Sequence, residues 1–230
     1  MNRRPLARSS WFTVLLLAMA VVIWVIDQQR TLDSQAKPQS RRVEKPSSAT
    51  RAERSGNDAY ELYRGCTLAE ARNNDGDSFM LKLPDGRTAE FRLYFVDTPE
   101  SAFKRYAGGD TNHERIRQQA AEMGGITPEQ AVEIGKKAKA YTLALLAEAP
   151  FDIFTCWDSP FRDKRYHAFV EVRENGRPRW LHELLVERGL ARLKTKPADL
   201  PDGTPAAKHM DHLRDLQRMA KRDGTGVWGL

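Results

Sequence analysis

The chain is poor in cysteine and has only two among its 230 residues, Cys66 and Cys156. This scarcity excludes a disulfide-stapled miniprotein and a cysteine-rich zinc protein. Apolar residues are not scarce: they make up 40% of the chain, and nine Phe, six Tyr and five Trp are among its aromatic residues. Such a content supports a real hydrophobic core and excludes global disorder. The length fits one domain, or two.

Several catalytic signatures are missing as well. The chain contains no Walker loop and no G-x-S-x-G nucleophile motif. His113 and His182 each precede a glutamate, but Arg117 and Val186 stand where an H-E-x-x-H motif needs its second histidine. The segment Asp75–Asp77 does not continue as an EF-hand loop. The sequence therefore lacks the signatures of P-loop NTPases, α/β-hydrolases, H-E-x-x-H zinc proteases and EF-hand calcium sensors.

The excess of positive over negative charge is confined to one part of the chain. Of 37 Lys and Arg and 31 Asp and Glu, residues 1–57 hold ten and four, which leaves 27 of each for residues 58–230. The whole formal charge of +6 therefore belongs to the first quarter of the sequence. The basic balance alone gives no argument that the remaining part binds nucleic acid.

The N-terminal quarter reads as a membrane segment and a linker. Sixteen uncharged residues, Trp11–Ile26, follow three arginines. With the two preceding serines they would form a helix of about 27 Å, close to the roughly 30 Å of a bilayer core. The pattern predicts a membrane anchor over residues 1–26, with a cleaved signal peptide as the alternative. Residues 27–57 lack periodicity and predict a disordered linker whose basic residues could touch lipid or nucleic acid.

Residues 58–230 predict an α+β domain. The order of elements is βββ-α-ββ-α-α, which favours a five-stranded barrel of the OB type with about three helices. Alternation and turn signals predict strands over Cys66–Arg72, Ser78–Leu83, Thr88–Val96, Phe151–Trp157 and Arg165–Arg173. Helices are predicted over Thr127–Glu148 and Leu181–Arg188, from Thr204 onward with Met210, Leu213, Leu216 and Met219 inward, and, in short form, around Glu114–Glu122.

Two segments carry a family resemblance. They are Asp75-Gly76-Asp77-Ser78 and the ten residues Phe91–Glu100, which end in Asp-Thr-Pro-Glu. With them the sequence resembles the staphylococcal nuclease (thermonuclease) family over nearly all of residues 60–228. The resemblance includes Asp163-Lys164-Arg165, Leu184–Ala191 and Gly226-Val227-Trp228. It implies an OB barrel with three helices, which agrees with the predicted order of elements.

The resemblance also implies a function and a site. It implies a calcium-dependent phosphodiesterase, a hydrolase that cleaves DNA or RNA with little sequence preference and leaves 3′-phosphate ends. Hard oxygen ligands suit Ca²⁺, and guanidinium groups suit phosphate. By position in the family motifs, the implied Ca²⁺ ligands are Asp77, Asp97 and the Thr98 carbonyl, the phosphate-binding arginines are Arg92 and Arg165, and the general base is Glu100. The alternative is a non-catalytic OB module that binds nucleic acid or protein.

One geometric condition follows from the spacing of these residues. Arg92 and Asp97 lie five positions apart, so a regular strand would point them to opposite faces. Both side chains can reach one phosphate only if the strand ends or bends near Val96. Pro99 is consistent with such an ending.

The chain departs from the family pattern in three places. The D-K-Y-G-R string is reduced to Asp163-Lys164-Arg165. The tyrosines expected after Ala191 are replaced by the stretch Arg192–Pro197, so nucleotide binding is expected to rely on lysines rather than aromatic packing. The segment 101–133 is longer than its counterpart. It either shapes substrate access or is a surface insertion without a role.

Four further predictions concern cellular location, oligomeric state, a disulfide bond and a metal site. The domain is expected outside the cytoplasm, periplasmic or extracellular, tethered to the membrane or secreted if the leader is cleaved, and monomeric. There, Cys66 and Cys156 on neighbouring strands could form a disulfide, with two buried free thiols as the alternative. His209 and His212 share a helix face and could bind a metal, although exposed histidines without a ligand are the simpler interpretation.

Overall fold

The structure is a computed structural model that describes residues 53–54, 59–159 and 164–230. The predicted membrane segment 1–26, most of the linker and Asp163 lie outside the described residues. Within the described part of the chain, no helix combines the length and apolarity needed to cross a membrane.

Nine strands and four helices are present in the described residues. The strands are β1 (Glu53–Arg54), β2 (Glu61–Leu68), β3 (Ser78–Lys82), β4 (Thr88–Leu93), β5 (Val96–Asp97), β6 (Phe151–Thr155), β7 (Arg165–Glu174), β8 (Arg177–Trp180) and β9 (Arg192–Leu193). The helices are α1 (His113–Glu122), α2 (Pro128–Glu148), α3 (Leu181–Glu187) and α4 (Ala206–Arg222), followed by a 3₁₀ turn over Gly226–Gly229.

Five of these strands close into a barrel. The sheet runs β1-β2-β3-β4-β7-β6, and a further pairing of β2 with β6 closes it. Strands β4 and β7 are parallel, and the other barrel pairs are antiparallel. This closed five-stranded arrangement in an α+β chain confirms the predicted OB-type barrel. Strands β5 and β9 form a separate two-stranded ladder beside it.

Alternation of apolar residues places the core inside the barrel. Phe79 and Leu81 on β3, and Phe91 and Leu93 on β4, are almost completely buried. Phe169 on β7 joins them with no exposed surface. Since successive strand residues point to opposite sides, the residues between them face outward and are free to carry other roles.

The first strand was predicted too late in the chain. The predicted span was Cys66–Arg72, whereas β2 is Glu61–Leu68. A register shift between Tyr63 and Cys66, with Gly65 at a φ of 72°, interrupts the alternation from which the strand was predicted. An extra residue in a bulge moves the apolar pattern by one position. The alternation of apolar and polar residues therefore does not reveal where the strand begins.

The third predicted strand is divided in two. Thr88–Val96 was predicted as one strand, but β4 ends at Leu93 and β5 begins at Val96. Phe95 between them has a φ of 68°, which is rare for a residue with a side chain. The two strands therefore run in different directions and belong to different sheets.

The helices are largely as predicted. Helix α2 has the predicted cap, because Thr127 accepts a hydrogen bond from the Gln130 amide and the Gln130 side chain bonds back to the Thr127 amide. The orientation predicted for α4 is only partly right. Leu213 and Leu216 are buried, but the Met219 side chain is 48% exposed because Ala220, four residues after Leu216, takes the inward position.

The two cysteines are free thiols, Cys66 buried and Cys156 exposed. Their strands β2 and β6 are neighbours, as predicted. In the register of this pair Cys66 lies opposite Phe151, whereas Thr155, the residue before Cys156, lies opposite Glu61. The thiols are thus at opposite ends of the pairing, and a bridge would need another register. Mass spectrometry of unreduced protein tests the predicted disulfide.

Candidate active site

The turn before β3 positions the first carboxylate. Asp77 is buried, and its Oδ1 accepts a hydrogen bond of 3.0 Å from the Ser78 hydroxyl. Its Oδ2 accepts one of 3.0 Å from the Thr98 amide. A side chain at Gly76 would place its Cβ 2.8 Å from Thr98 Oγ1 and 3.0 Å from the Ala138 Cβ. Glycine is therefore needed at the centre of this turn to let Asp77 approach Thr98.

The break at Phe95 brings the arginine and the second carboxylate together. Arg92 Nη2 lies 2.6 Å from Asp97 Oδ1 and 3.4 Å from Asp77 Oδ2. All three side chains are buried. The spacing required the strand to end or bend near Val96, and the chain turns at Tyr94 and Phe95 just before it. Arg92 and Asp97 consequently reach the same point although they are five residues apart.

Asp97 has three further partners that the sequence did not single out. Arg115 Nη2 lies 2.9 Å from its Oδ1, and Arg192 Nη2 lies 2.7 Å from its Oδ2. Gln119 donates to the same Oδ2 at 3.0 Å. Burial acts to raise the pKa of Asp97, but Arg115, Gln119 and the other two arginines outweigh it and lower that pKa. Asp97 is therefore a stably charged group.

Asp77 behaves in the opposite way. Burial raises the pKa of Asp77 to about 6, against the attraction of Arg92. The repulsion of Asp97 adds to the increase. The two aspartates thus differ in proton affinity because the arginines cluster around one of them.

Thr98 and Glu100 follow directly after this pair. The Thr98 carbonyl accepts a hydrogen bond of 3.0 Å from Gln119. Glu100 Oε1 lies 3.0 Å from Arg115 Nε, and its Oε2 accepts hydrogen bonds of 3.2 Å from Lys104 and from Asn112. Arg115 therefore links Asp97 to Glu100.

Four of the groups described above, Arg92, Asp97, Arg115 and Arg192, line a cavity of about 420 Å³ whose lining is strongly basic. Five of the lining side chains are basic and one is acidic, so the cavity favours an anionic ligand. The lining consists of Arg92, Asp97, Arg115, Gln118, His167, Arg192, Lys194, Thr195 and Lys196. The predicted reliance on lysines after Ala191 corresponds to Lys194 and Lys196 in this wall.

Of the six predicted site residues, Arg92 and Asp97 are in the cavity lining, whereas Asp77, Thr98, Glu100 and Arg165 are not. Asp77, Thr98 and Glu100 nevertheless contact residues of the Asp97 cluster. The position of Arg165 differs from theirs. Arg165 is the first residue of β7 and pairs in register with Glu90. His167, two residues later, lies opposite Arg92 and lines the cavity instead. The buried His167 ring has its Nδ1 3.3 Å from Asp158 Oδ2.

The site residues that the sequence does not indicate come from the two segments that depart from the family pattern. Arg115 and Gln119 lie one helical turn apart on α1, inside the segment 101–133. Asn112, buried at the start of that helix, also contacts Glu100. Arg192 follows Ala191 in the stretch that lacks tyrosines. The i,i+4 pair of polar residues on a short helix was the available signal, and it did not indicate which way the helix faces.

Asp77, Asp97 and Thr98 are the described residues near this cavity that offer hard oxygen ligands in one place. Both carboxylates face the same Arg92 Nη2 atom, so they converge on a position that holds a positive charge. Their donor chemistry suits a cation such as Ca²⁺. The same oxygen atoms also accept hydrogen bonds from arginine and glutamine, with which a metal ion would compete.

Comparison of the chain with protein-family models gives no match, and a search of the curated proteins gives none either.

Proposed function

We propose that the chain is a calcium-dependent nuclease of the thermonuclease type, which hydrolyses phosphodiester bonds of DNA or RNA with little sequence specificity. One observation carries this proposal. The buried cluster of Asp77, Arg92 and Asp97, with Glu100 beside it, adjoins a cavity in whose lining basic side chains outnumber acidic ones five to one. An anionic diester suits such a cavity, and its cleavage needs both positive charge and a base.

The arginines would bind the scissile phosphate. Arg92, Arg115 and Arg192 line the cavity and present guanidinium groups, which grip two phosphate oxygens at once. Arg115 must exchange its contacts with Asp97 and Glu100 for the phosphate. It is the arginine best placed to do so, because its side chain is 44% exposed whereas those of Arg92 and Arg192 are 10% and 7% exposed.

Glu100 would act as the general base. It would take a proton from a water molecule whose oxygen bonds to phosphorus, while the bond from phosphorus to the 5′ oxygen breaks and that oxygen takes up a proton from solvent. Asp77, Asp97 and the Thr98 carbonyl would hold Ca²⁺. When bound there, the ion would supply positive charge beside the phosphate. Asp97 keeps Arg92 and Arg192 in place with charge-assisted hydrogen bonds.

The setting of this activity is also part of the proposal. The N-terminal segment 1–26 would tether the domain to a membrane, with the nuclease outside the cytoplasm, and cleavage of that segment would release it. The partners are then DNA or RNA and the lipid bilayer. The domain is expected to act as a monomer.

A non-catalytic nucleic-acid-binding module is the second candidate. The specific observation that favours it is that arginines already neutralise the carboxylates, since Asp97 alone contacts Arg92, Arg115 and Arg192. In that case the cavity binds phosphate and no cation displaces the arginines.

A digest of a plasmid and of a fluorescent oligonucleotide separates the two candidates. The full-length protein is assayed with Ca²⁺ and with EDTA, next to Asp97→Ala, Arg92→Ala and Glu100→Gln. A nuclease cleaves only with Ca²⁺, and each variant loses about 100-fold or more in rate. Cleavage that persists in EDTA, or in all three variants, contradicts the proposal. Binding of the oligonucleotide without any cleavage by the wild type favours the module.

A further inference from the structure

A second group of chemically active side chains lies between helices α3 and α4. His182 and Glu183 lie in the first turn of α3, and His209 and His212 lie three residues apart on α4. One ligand atom from each of His182, Glu183 and His209 lies within 4.8 Å of the others. The two histidines face each other, with 2.7 Å between their Nε2 atoms. The proposed nuclease mechanism uses none of these residues.

His212 adds a fourth donor on the open side of the group. Its Nε2 lies 3.6 Å from Glu183 Oε1, and the same oxygen lies 3.8 Å from His209 Nε2. The His212 side chain is 51% exposed, so an ion can reach the group from solvent on this side. His182 and His209 are buried and close the opposite side.

The distances resemble those of a tetrahedral zinc site. Zinc bonds to histidine nitrogen at about 2.0–2.1 Å, so two ligands of a tetrahedron lie about 3.3 Å apart. The separations in the cluster, 2.7, 3.6 and 3.8 Å, bracket this value. To reach it, side-chain rotations must move the His182 and His209 Nε2 atoms apart by about 0.6 Å and bring Glu183 Oε1 closer to both His209 and His212. Three imidazoles and one carboxylate form a donor set that favours zinc over a hard cation such as Ca²⁺.

We infer that His182, Glu183 and His209 form a zinc-binding site, with His212 as the fourth ligand. The site is separate from the proposed Ca²⁺ site and does not depend on the proposed nuclease function.

The state of the histidines supports this assignment. Burial lowers the pKa of His182 well below its ordinary value and lowers that of His209 to about 4. Both rings are therefore neutral at pH 7, and a metal ion need not displace protons from charged imidazoles. Without metal, one Nε2–H donates to the other Nε2 atom. For zinc to bind both Nε2 atoms, that proton would move to the Nδ1 atom of its own ring, so that both rings stay neutral and each Nε2 offers a lone pair.

Zinc at this place would connect helices α3 and α4 next to Phe95. The Phe95 ring stacks on His182 with centroids 5.7 Å apart and meets His209 edge-on at 5.1 Å. Phe95 is the residue whose backbone redirects the chain between Arg92 and Asp97. The ion would thus hold α3 and α4 in place around Phe95. A site of this kind is a structural zinc site, which has no open coordination position.

The test measures metal binding and stability, not nuclease activity. The full-length protein is stripped with EDTA, dialysed and titrated with ZnCl₂ against a competing zinc dye, and its melting temperature is recorded with and without zinc. We expect one zinc ion per chain and a higher melting temperature, because only the folded state presents the cluster. Co²⁺ should give the visible absorption of tetrahedral coordination.

Three variants and one control identify the ligands. Glu183→Gln and His209→Ala should each weaken zinc binding more than about 100-fold, since changing residues outside the ligand shell already costs 10- to 100-fold. His212→Ala, at an exposed position, keeps the test valid if His209→Ala does not fold. Unchanged affinity in His212→Ala overturns its assignment as the fourth ligand.

The control is His113→Ala, which removes an exposed histidine from α1, away from the cluster. It should bind zinc as the wild type does. The inference is overturned if the wild type binds no zinc, or if Glu183→Gln and His113→Ala have equal affinity. Either result would leave a hydrogen-bonded histidine pair as the role of the cluster, whether or not the protein cleaves DNA.

Discussion

Asp97 is the residue at which most of the site's interactions meet. Its two oxygen atoms accept hydrogen bonds from Arg92, Arg115, Gln119 and Arg192. A buried carboxylate with so many donors strongly favours its charged form. The arginines are thereby held with their charges directed at one cavity, and they are ordered before a ligand arrives. Loss of Asp97 would leave Arg92, Arg115 and Arg192 with only one acidic partner each, Asp77, Glu100 and Glu122 respectively, and two of these arginines are buried.

The cavity lining predicts an unequal dependence on the arginines. Arg192→Ala and Arg115→Ala should each lower kcat/KM for oligonucleotide cleavage by about 100-fold or more, because both guanidinium groups line the cavity. Arg165→Ala, at a strand end outside that lining, should lose about tenfold or less. Steady-state kinetics on one fluorescent substrate gives the three ratios. A larger loss for Arg165→Ala than for Arg192→Ala would contradict the role assigned to the cavity.

Asp77 predicts a particular dependence of stability on pH. Burial raises its pKa to about 6, so between about pH 4 and pH 6 the folded state binds more protons than the unfolded state. Its contribution to the free energy of unfolding therefore falls as the pH rises through this range and is constant above it. The fall amounts to about 2 to 3 kcal/mol.

Urea unfolding of wild type and Asp77→Asn at several pH values between 4 and 7 measures this contribution. The stability of Asp77→Asn minus that of the wild type should increase with pH up to about 6 and then level off, because the amide does not ionise. Parallel curves for the two proteins would mean that the pKa of Asp77 is not raised.

Among the elements, the segment 101–133 is the one whose role the structure clarifies most. From the sequence it was either a device that shapes substrate access or a surface insertion without a role. Its helix α1 supplies Arg115 and Gln119 to Asp97, and Asn112 before that helix contacts Glu100. A segment whose side chains contact both Asp97 and Glu100 is part of the candidate site.

Helix α2 packs against the backbone that carries Glu100, and Gly135 is the point of contact. A Cβ at this position would lie 2.4 Å from the Glu100 carbonyl oxygen and 2.6 Å from that of Pro99. The helix therefore packs directly on the backbone that carries the candidate base.

Gly135→Ala should destabilise the protein by about 1 to 3 kcal/mol, because the new methyl group clashes with this backbone. Helix propensity alone predicts the opposite sign, a gain of about 1 kcal/mol. Thermal or urea unfolding decides between the two. The matched control is Lys137→Ala, an exposed position on the same helix that should change stability by less than about 0.5 kcal/mol. A stabilised Gly135→Ala would show that the helix can move away from Glu100.

Sequence reasoning succeeded where local chemistry decides the structure. The Thr127–Gln130 capping box, the turns around Gly76 and Gly176, and the strand Ser78–Lys82 depend on neighbouring residues and follow from them. It failed at the bulge near Gly65, which shifts the apolar pattern, and at Phe95, because a positive φ at a phenylalanine has no signature in composition.

The site residues also fall into a group that the sequence predicts and a group that it does not. Asp77, Arg92, Asp97, Thr98 and Glu100 come together as their short segments suggested. Asp77 lies in the turn before β3, Arg92 lies near the end of β4, and the other three follow the break at Phe95. Arg115 and Arg192 were missed because their approach to Asp97 depends on the packing of α1 and on the pairing of β5 with β9. Contacts of this kind are set by the tertiary structure.

At the scale of the whole molecule, net charge and local charge disagree. Residues 58–230 carry equal numbers of basic and acidic side chains. The cavity lining nevertheless holds five basic residues against one acidic residue. Because electrostatic interactions are screened over about 8 Å in physiological salt, a bound strand senses the cavity more than the distant surface. Affinity for nucleic acid should follow the local charge.

Salt dependence tests this expectation. The logarithm of the affinity for a single-stranded oligonucleotide should fall with the logarithm of salt concentration, by about 0.7 for each phosphate that a lysine or arginine neutralises. Replacing both Lys194 and Lys196 with alanine should therefore reduce the slope by about 1.4. The pair Lys82→Ala and Lys208→Ala, both exposed and outside the cavity lining, is the control and should leave the slope unchanged. Equal slopes for the two double variants would refute the local-charge explanation.

The pairing of β5 with β9 also determines when the site becomes complete during synthesis. Val96 pairs with Leu193, and Arg192 reaches Asp97 across 95 residues of sequence. A nascent chain that has emerged only as far as Glu100 carries the acidic half of the site without Arg115, Arg192 or the two lysines beyond it. Only after the ribosome has released residue 196 can one molecule hold both halves together. The order of synthesis thus delays the assembled cavity until most of the domain has been made.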